Sequence, residues 1–303
     1  MPDHDPGASV RPAPLIVIAA PNGARLDKDG HPAVPLSITE IADCAADLAD
    51  CGVSILHLHV RDDRGGHVLD AGRYREAMAA IRDRVGDRLV LQVTTEAVGQ
   101  YDRDQQMALV RELQPEAVSL ALRELCPDEI AEPEAGDFFR ELPARGVWPQ
   151  YILYSAAEAV RFERLRQQGF FGNPRPFALF VLGRYSESLQ GDPGELDGFL
   201  AAFRPDAFPW AVCCFGPAEP AAVRRAAALG GHVRIGFENN RLLPDGTVAR
   251  DNAQLVASEL ALLPGPGAAR RPIATAEWVR VRISAAARLA TPARRRSEDP
   301  AGH

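Results

Sequence analysis

Short apolar runs alternate with longer amphipathic stretches along the chain, a new run starting about every 30 residues, the repeat of a βαβ unit. The runs predict strands at residues 15–20, 53–60, 89–94, 117–122, 148–154, 177–182, 210–214 and 232–238. Between them, apolar residues recur at helical spacing and predict helices at 38–50, 71–84, 103–113, 138–145, 156–168, 195–203, 220–229 and 252–263. Ser37 with Glu40 three residues on reads as a capping box, and Gly52, Gly146, Gly169 and Gly230 stand where helices end. Strict alternation of strand and helix points to a parallel α/β fold, and eight units at this spacing fit a (β/α)8 TIM barrel. A doubly wound open sheet is the alternative, but the first strand-to-helix turn, Ala20-Pro21-Asn22-Gly23-Ala24, lacks the GxGxxG fingerprint. A helical pattern at 274–290 predicts a short C-terminal extension. One barrel domain is expected over 14–291, between disordered tails at 1–13 and 292–303, the second carrying the solvated arginines 294–296.

Two strings on these strands carry polar residues where a buried strand should not. In His57-Leu58-His59-Val60-Arg61-Asp62 the imidazoles and the guanidinium share one face and the aliphatics the other. In Arg234-Ile235-Gly236-Phe237-Glu238-Asn239 the same alternation puts Arg234, Gly236 and Glu238 together. Both strings lie at the C-terminal ends of even-numbered strands, where a barrel places its active site. His57, His59 and Glu238 then form a three-ligand set with an open coordination position, as in catalytic zinc sites. Arg234 is suited to anchoring a carboxylate or orienting a proton-transfer group. Arg61 is expected to be structural with Asp62, His67 to be exposed in its loop, and His232 to sit at the bottom of the barrel. On the third strand Gln92, Thr94 and Glu96 face one way, and on the fourth Ser119 and Arg123 face inward. Thr94 is placed to hydrogen-bond a substrate oxygen, and Glu96 is a carboxylate at the mouth, either a solvated loop residue or a general base.

The bulk properties remove several functions. With 46% hydrophobic and 25% charged residues the composition is globular, and a net charge of −7 argues against nucleic acid or an anionic membrane as partner. The apolar runs are too short to span a bilayer, and the N-terminal segment lacks a secretory pattern. Five cysteines, odd in number and without a CxxC pair, point to a reducing compartment, hence the cytoplasm. Cys44 and Cys51 read as core residues, and of Cys213 and Cys214 one faces the interior. Lys28, the single lysine, lies in a polar loop, so imine chemistry, which needs a desolvated lysine, is disfavoured.

With these motifs assembled, the chain resembles the β-keto acid cleavage enzymes, from about residue 16 to 262. The most specific segments are the two strings above, the approach Gly230-Gly231-His232, and Asp251-Asn252-Ala253-Gln254-Leu255-Val256. Weaker support comes from residues 35–41, Phe180-Val181-Leu182-Gly183 and Trp210-Ala211-Val212. The resemblance implies a zinc barrel, usually a homotetramer, that converts a β-keto acid and acetyl-CoA into acetoacetate and a new acyl-CoA. Its zinc ligands map onto His57, His59 and Glu238. Its aspartate after the metal glutamate is Asn239 here, and a pocket glutamate of the first strand end is Arg25. A second pocket glutamate aligns with Ile152, a serine becomes Thr94, and a glycine beside it becomes Glu96. The expected catalytic group is therefore Arg234, Asn239, Glu96 and Thr94, with Glu96 supplying the carboxylate that Asn239 lacks. Asn22, Arg25, Ser119 and Arg123 are the expected substrate contacts, favouring an anionic or hydroxylated acyl end. Arg25 and Arg184 are candidates for the CoA phosphates. The rival readings are another zinc-assisted carbon–carbon lyase or hydrolase on this barrel, and a weakly active metal-binding member.

Overall fold

The computed structural model describes residues 13–204, 207–263 and 271–290. The expected tails fall outside these residues apart from Ala13, as do the arginines 294–296. Among the described residues, eight parallel strands close into a barrel in sequence order. They are β1 (Val17–Ala19), β2 (Ile55–Leu58), β3 (Val90–Thr94), β4 (Ala117–Ala121), β5 (Trp148–Leu153), β6 (Phe177–Leu182), β7 (Trp210–Cys214) and β8 (His232–Ile235). The helices are α1 (Ile38–Asp50), α2 (Ala71–Val85), α3 (Arg103–Leu113), α4 (Leu122–Leu125), α5 (Glu132–Ala144), α6 (Ala156–Gln167), α7 (Leu196–Leu200), α8 (Glu219–Ala228), α9 (Asn252–Ala261) and α10 (Ala276–Ala290). None is long and apolar enough to cross a membrane.

Every strand residue is buried, because one face meets the helices and the other fills the barrel. Leu56, Leu58, Leu91 and Val93 belong to the outer core, while Ile18, Ile55, Val90, Phe177 and Leu179 belong to the inner one. Cys213 packs with the inner cluster and Cys214 with the outer, as two adjacent strand residues must. The C-terminal extension, α10, has a definite task. Val279 and Ile283 join the inner cluster, while Arg280 binds Glu116 and the carbonyls of Asp87 and Leu89, at the ends opposite the active-site mouth. His232 lies at that end too, its Nδ1 accepting from the Ile16 amide at 3.0 Å.

Beyond shifts of one or two residues at element ends, three departures from the sequence expectation shape the connections and the site. The β4–β5 connection holds two helices, and α5 starts at Glu132 rather than 138. Gly136 lowers helix propensity there, but a Cβ at this position would crowd the Phe170 ring at 2.9 Å, so packing overrides propensity. The segment after β6 forms a 3-10 turn at Pro193–Glu195 and then only the short α7. Most consequential, β8 stops at Ile235, so Glu238 stands in a turn and not on the strand.

Candidate metal centre and active site

His57 is on β2 and His59 follows its end, each 1% exposed, with both rings turned into the barrel. Their Nε2 atoms are 3.1 Å apart, and Glu238 Oε2 lies 3.5 Å from the first and 3.4 Å from the second. Bonds of 2.0–2.1 Å to a tetrahedral metal separate neighbouring donor atoms by about 3.3 Å. The spacing therefore fits a shared ion. The hydrogen-bond pattern agrees. His57 Nδ1 faces Gln92 Oε1 at 2.9 Å, and Gln92 Nε2 donates to Gln150 Oε1 at 3.2 Å, so the Gln92 oxygen must accept. The proton of His57 is thereby held on Nδ1 and its Nε2 lone pair points at the other two donors. Glu238 Oε2 has no hydrogen-bond partner although it is buried. Burial, opposed by Glu238, pushes His57 down to about 3, which keeps it in the neutral, ligating form. Burial works against Glu238 ionising, but the Arg234 guanidinium beside it outweighs burial and holds the carboxyl well below the usual range. Two imidazole nitrogens and a carboxylate facing one another are a donor set that could hold a divalent cation.

Glu238 reaches this cluster through backbone geometry. Gly236 has φ +148°, and a Cβ there would lie inside the Ala20 carbonyl. The chain turns at that point, and the Glu238 amide donates to Ala20 O at 3.1 Å. Phe237 is pinned by its amide to Asn252 Oδ1 at 2.9 Å, and Asn252 Nδ2 donates to Pro21 O at 3.0 Å. Asn252 thus ties the turn to the β1 loop.

Arg234 Nη2 donates to Glu238 Oε1 and to Asn239 Oδ1, both at 2.9 Å. Arg61 is structural as expected, but its partners are the carbonyls of Gly23, Leu26 and Gly65 rather than Asp62. Asn22 Nδ2 binds the carbonyls of Pro35 and His59, so it clamps the ligand strand. His67 corrects its expectation. It is 5% exposed, with Nε2 2.9 Å from Glu96 O and its ring 5.2 Å from that of His59.

Two connected spaces open at the mouth. An inner chamber of about 20 Å³ is lined by both histidines, Glu238, Arg234, Thr94 and Glu96, with Ile152, Tyr154, Val181 and Phe215 as its apolar wall. An outer cavity of about 630 Å³ shares Glu96, Glu238, Arg184 and Phe215 with it and adds Asn22, Arg25, Asn239 and Arg241. Glu96 Oε1 is bound by Arg25 at 2.6 Å, with Arg184 at 3.7 Å. Thr94 Oγ1 accepts from the Glu96 amide at 3.1 Å, which leaves its hydroxyl proton free. Ser119 and Arg123 line neither space. Ser119 is buried in the barrel with an unpartnered Oγ. Arg123 pairs with Glu158 between the Tyr154 and Tyr185 rings, so it reaches the chamber only through Tyr154.

The sequence profile of the beta-keto acid cleavage enzymes matches residues 14–284. The chain belongs to that family. It is 33% identical over 275 residues to the 3-keto-5-aminohexanoate cleavage enzyme of Fusobacterium nucleatum, covering 89% of this chain and 97% of that one. It is 26% identical over 274 residues to the 3-oxoadipate:acetyl-CoA acetyltransferase of Cupriavidus necator, covering 88% and 93%. Among solved structures, the ternary complex of ObcA with C4-CoA adduct and oxalate superposes with a TM-score of 0.64 at 17% identity, covering 83% of this chain and 67% of that one. At that identity the likeness concerns the fold.

In this β-keto acid cleavage enzyme, Gln92, Gln150, Tyr154 and Asn252 hold or wall the site without having been assigned to it from the sequence. Gln92 left a signal by sharing the inward face with Thr94, Gln150 and Tyr154 by alternating with Ile152, and Asn252 by lying in a family segment. Replacing Gln92 by leucine frees the His57 tautomer, and metal affinity is expected to fall about 10- to 100-fold, as for other partners of metal-bound histidines. Competition with a chromogenic chelator measures it. Unchanged affinity would mean that the ring is oriented by packing alone.

Proposed function

We propose that the chain is a zinc-dependent β-keto acid cleavage enzyme that uses acetyl-CoA. In this reaction the bond between C2 and C3 of the keto acid breaks. The acyl group passes to the CoA sulfur, and the CH2–COO⁻ fragment joins the acetyl group to give acetoacetate. The observation that carries the reading is the His57–His59–Glu238 donor set, three mutually facing ligand atoms on the wall of a chamber at the barrel mouth. Imidazole and carboxylate donors suit zinc, which when bound supplies Lewis-acid stabilisation to oxygen charge developing during carbon–carbon cleavage.

The chain's own residues supply the rest. Glu96 and Glu238 are the carboxylates among the described residues lining the inner chamber, and Glu238 is committed to Arg234 and the metal position. Glu96 is therefore the group that takes up the substrate proton. Thr94 Oγ1 has its proton free for a substrate oxygen. Ile152, Tyr154, Val181 and Phe215 keep water from the reacting carbon. Arg25, Arg184 and Arg241 on the outer wall favour an anionic acyl end and offer charge to CoA phosphates. Asn22 and Asn239 border the same space. The 3-oxoadipate named in one relative's activity is a keto acid of that charge. Five unpaired thiols suit the cytoplasm, and by the family analogy the enzyme works as a homotetramer.

The test is metal analysis combined with a panel of β-keto acids, each with and without acetyl-CoA. One equivalent of zinc and acetoacetate formed only with acetyl-CoA support the proposal. A keto acid ending in a second carboxylate should be preferred over an amino-bearing one by about tenfold or more in kcat/KM, the worth of about 1.4 kcal/mol. Turnover without any CoA ester points instead to a lyase or hydrolase, and zinc without turnover to a metal-binding protein.

A further inference from the structure

Arg234 rests on two oxygens, Glu238 Oε1 and Asn239 Oδ1, each 2.9 Å from its Nη2. A guanidinium only donates, so the oxygen of the Asn239 amide must face it and the NH2 group must face elsewhere. That group meets the Arg234 carbonyl at 3.3 Å and Glu219 Oε1 across a longer 3.4 Å. The other oxygen of Glu219 accepts from Asn240 Nδ2 at 3.2 Å. Asn240 cannot turn, because both ends of its amide bond the Leu242 backbone, at 2.8 and 2.9 Å. Glu219, in the first turn of α8, is 0% exposed. Glu259 on α9 is equally buried, with neither oxygen hydrogen-bonded. Burial, reinforced by Glu259, pushes the Glu219 carboxyl well above the usual range, and burial pushes Glu259 up to about 8. A carboxyl pair this deep costs stability, and no step of the proposed reaction touches it. The fold retains it directly behind Asn239.

We propose that Glu219 is a positioning residue of the active site. Through Asn239 Nδ2 it anchors the amide whose oxygen meets Arg234, and so keeps the guanidinium on the Glu238 carboxylate. Without an acceptor at 219 the NH2 group keeps only its 3.3 Å contact with the Arg234 carbonyl. The amide then shifts from Arg234, whose hold on Glu238 loosens. The kinetic part of this inference rests on the proposed reaction; the structural part does not.

The polarity of the contact is reversible, and that supplies the test. In Glu219→Gln alone, the new amide faces two donors, Asn239 Nδ2 and Asn240 Nδ2, and can satisfy only one. In Asn239→Asp alone, two carboxyls face each other. In the double variant, the amide introduced at position 219 donates to the carboxylate introduced at position 239 and accepts from Asn240. Arg234 still meets an oxygen at position 239. Glu219→Gln is expected to lower kcat about tenfold with KM within about threefold, and the double variant to recover to within about threefold of Asn239→Asp, which is the reference for the carboxylate it introduces, the non-additivity of groups in contact. Metal affinity by chelator competition, measured without substrate, should follow the same order. A double variant that fails to fold, or whose losses equal the product of the single ones, overturns the proposal. If the unsubstituted protein turns over no keto acid, the proposed reaction falls, while the metal-affinity cycle still decides the role of Glu219.

Discussion

Glu238→Gln is expected to empty the metal site and lower turnover by about 10³-fold or more, since the ion supplies several kcal/mol of transition-state stabilisation. The physical reason lies in what faces the carboxylate. Oε1 accepts from Arg234, and Oε2 faces the Nε2 atoms of both histidines. An amide keeps an oxygen for Arg234 and turns an NH2 group towards the histidines. It thereby places a donor where the cation belongs and removes the negative charge that attracts the ion. The metal-free variant should melt lower than the metal-free parent, because the buried Arg234 guanidinium loses its carboxylate partner. Elemental analysis and a thermal melt on both metal-free proteins check the two halves together. A variant that keeps one equivalent of metal and its turnover would show that Glu238 is no ligand.

Gly236→Ala should produce the largest loss of stability of any single-methyl change near the site, about 3–5 kcal/mol, the sum of overpacking and backbone strain. At φ +148° an L-residue is strained whatever the space, and here the added carbon would overlap the Ala20 carbonyl. Relief requires β8 to move from β1, which also carries Glu238 away from His57 and His59. Urea unfolding of the metal-free protein measures the first effect, and metal stoichiometry of the folded fraction the second. A variant as stable as its parent, with metal retained, would mean that the turn after Ile235 has another conformation open to it.

Much of the barrel was legible because its determinants are local. The 15–20 and 177–182 runs are apolar on both faces, which only a strand covered on both sides tolerates, and each strand was found near its expected place. Ser37 and Glu40 form the capping box that their spacing foretold. The failures came where a contact distant in sequence overrode a local preference. The helix expected at 138–145 begins at Glu132, because Phe170 packs against Gly136. His67, in a glycine-flanked loop, reads as exposed until Glu96 O and the His59 ring are brought to it. Arg123 faces the mouth by alternation, yet Glu158 and two tyrosines hold its guanidinium away from the chamber.

The sequence by itself determined the fold class and that His57, His59 and Glu238 would meet at one end of the barrel. Strand alternation has a period of two, and two histidines at that spacing share a face wherever the strand goes. The tertiary structure alone decided how Glu238 arrives, because the Gly236 turn depends on the Ala20 carbonyl. It also decided which proton His57 keeps, through Gln92, and what stands behind Asn239, through Glu219 on another helix. Ligand type is a property of single side chains, whereas orientation is a property of their neighbours, and those neighbours are assembled only when the barrel closes.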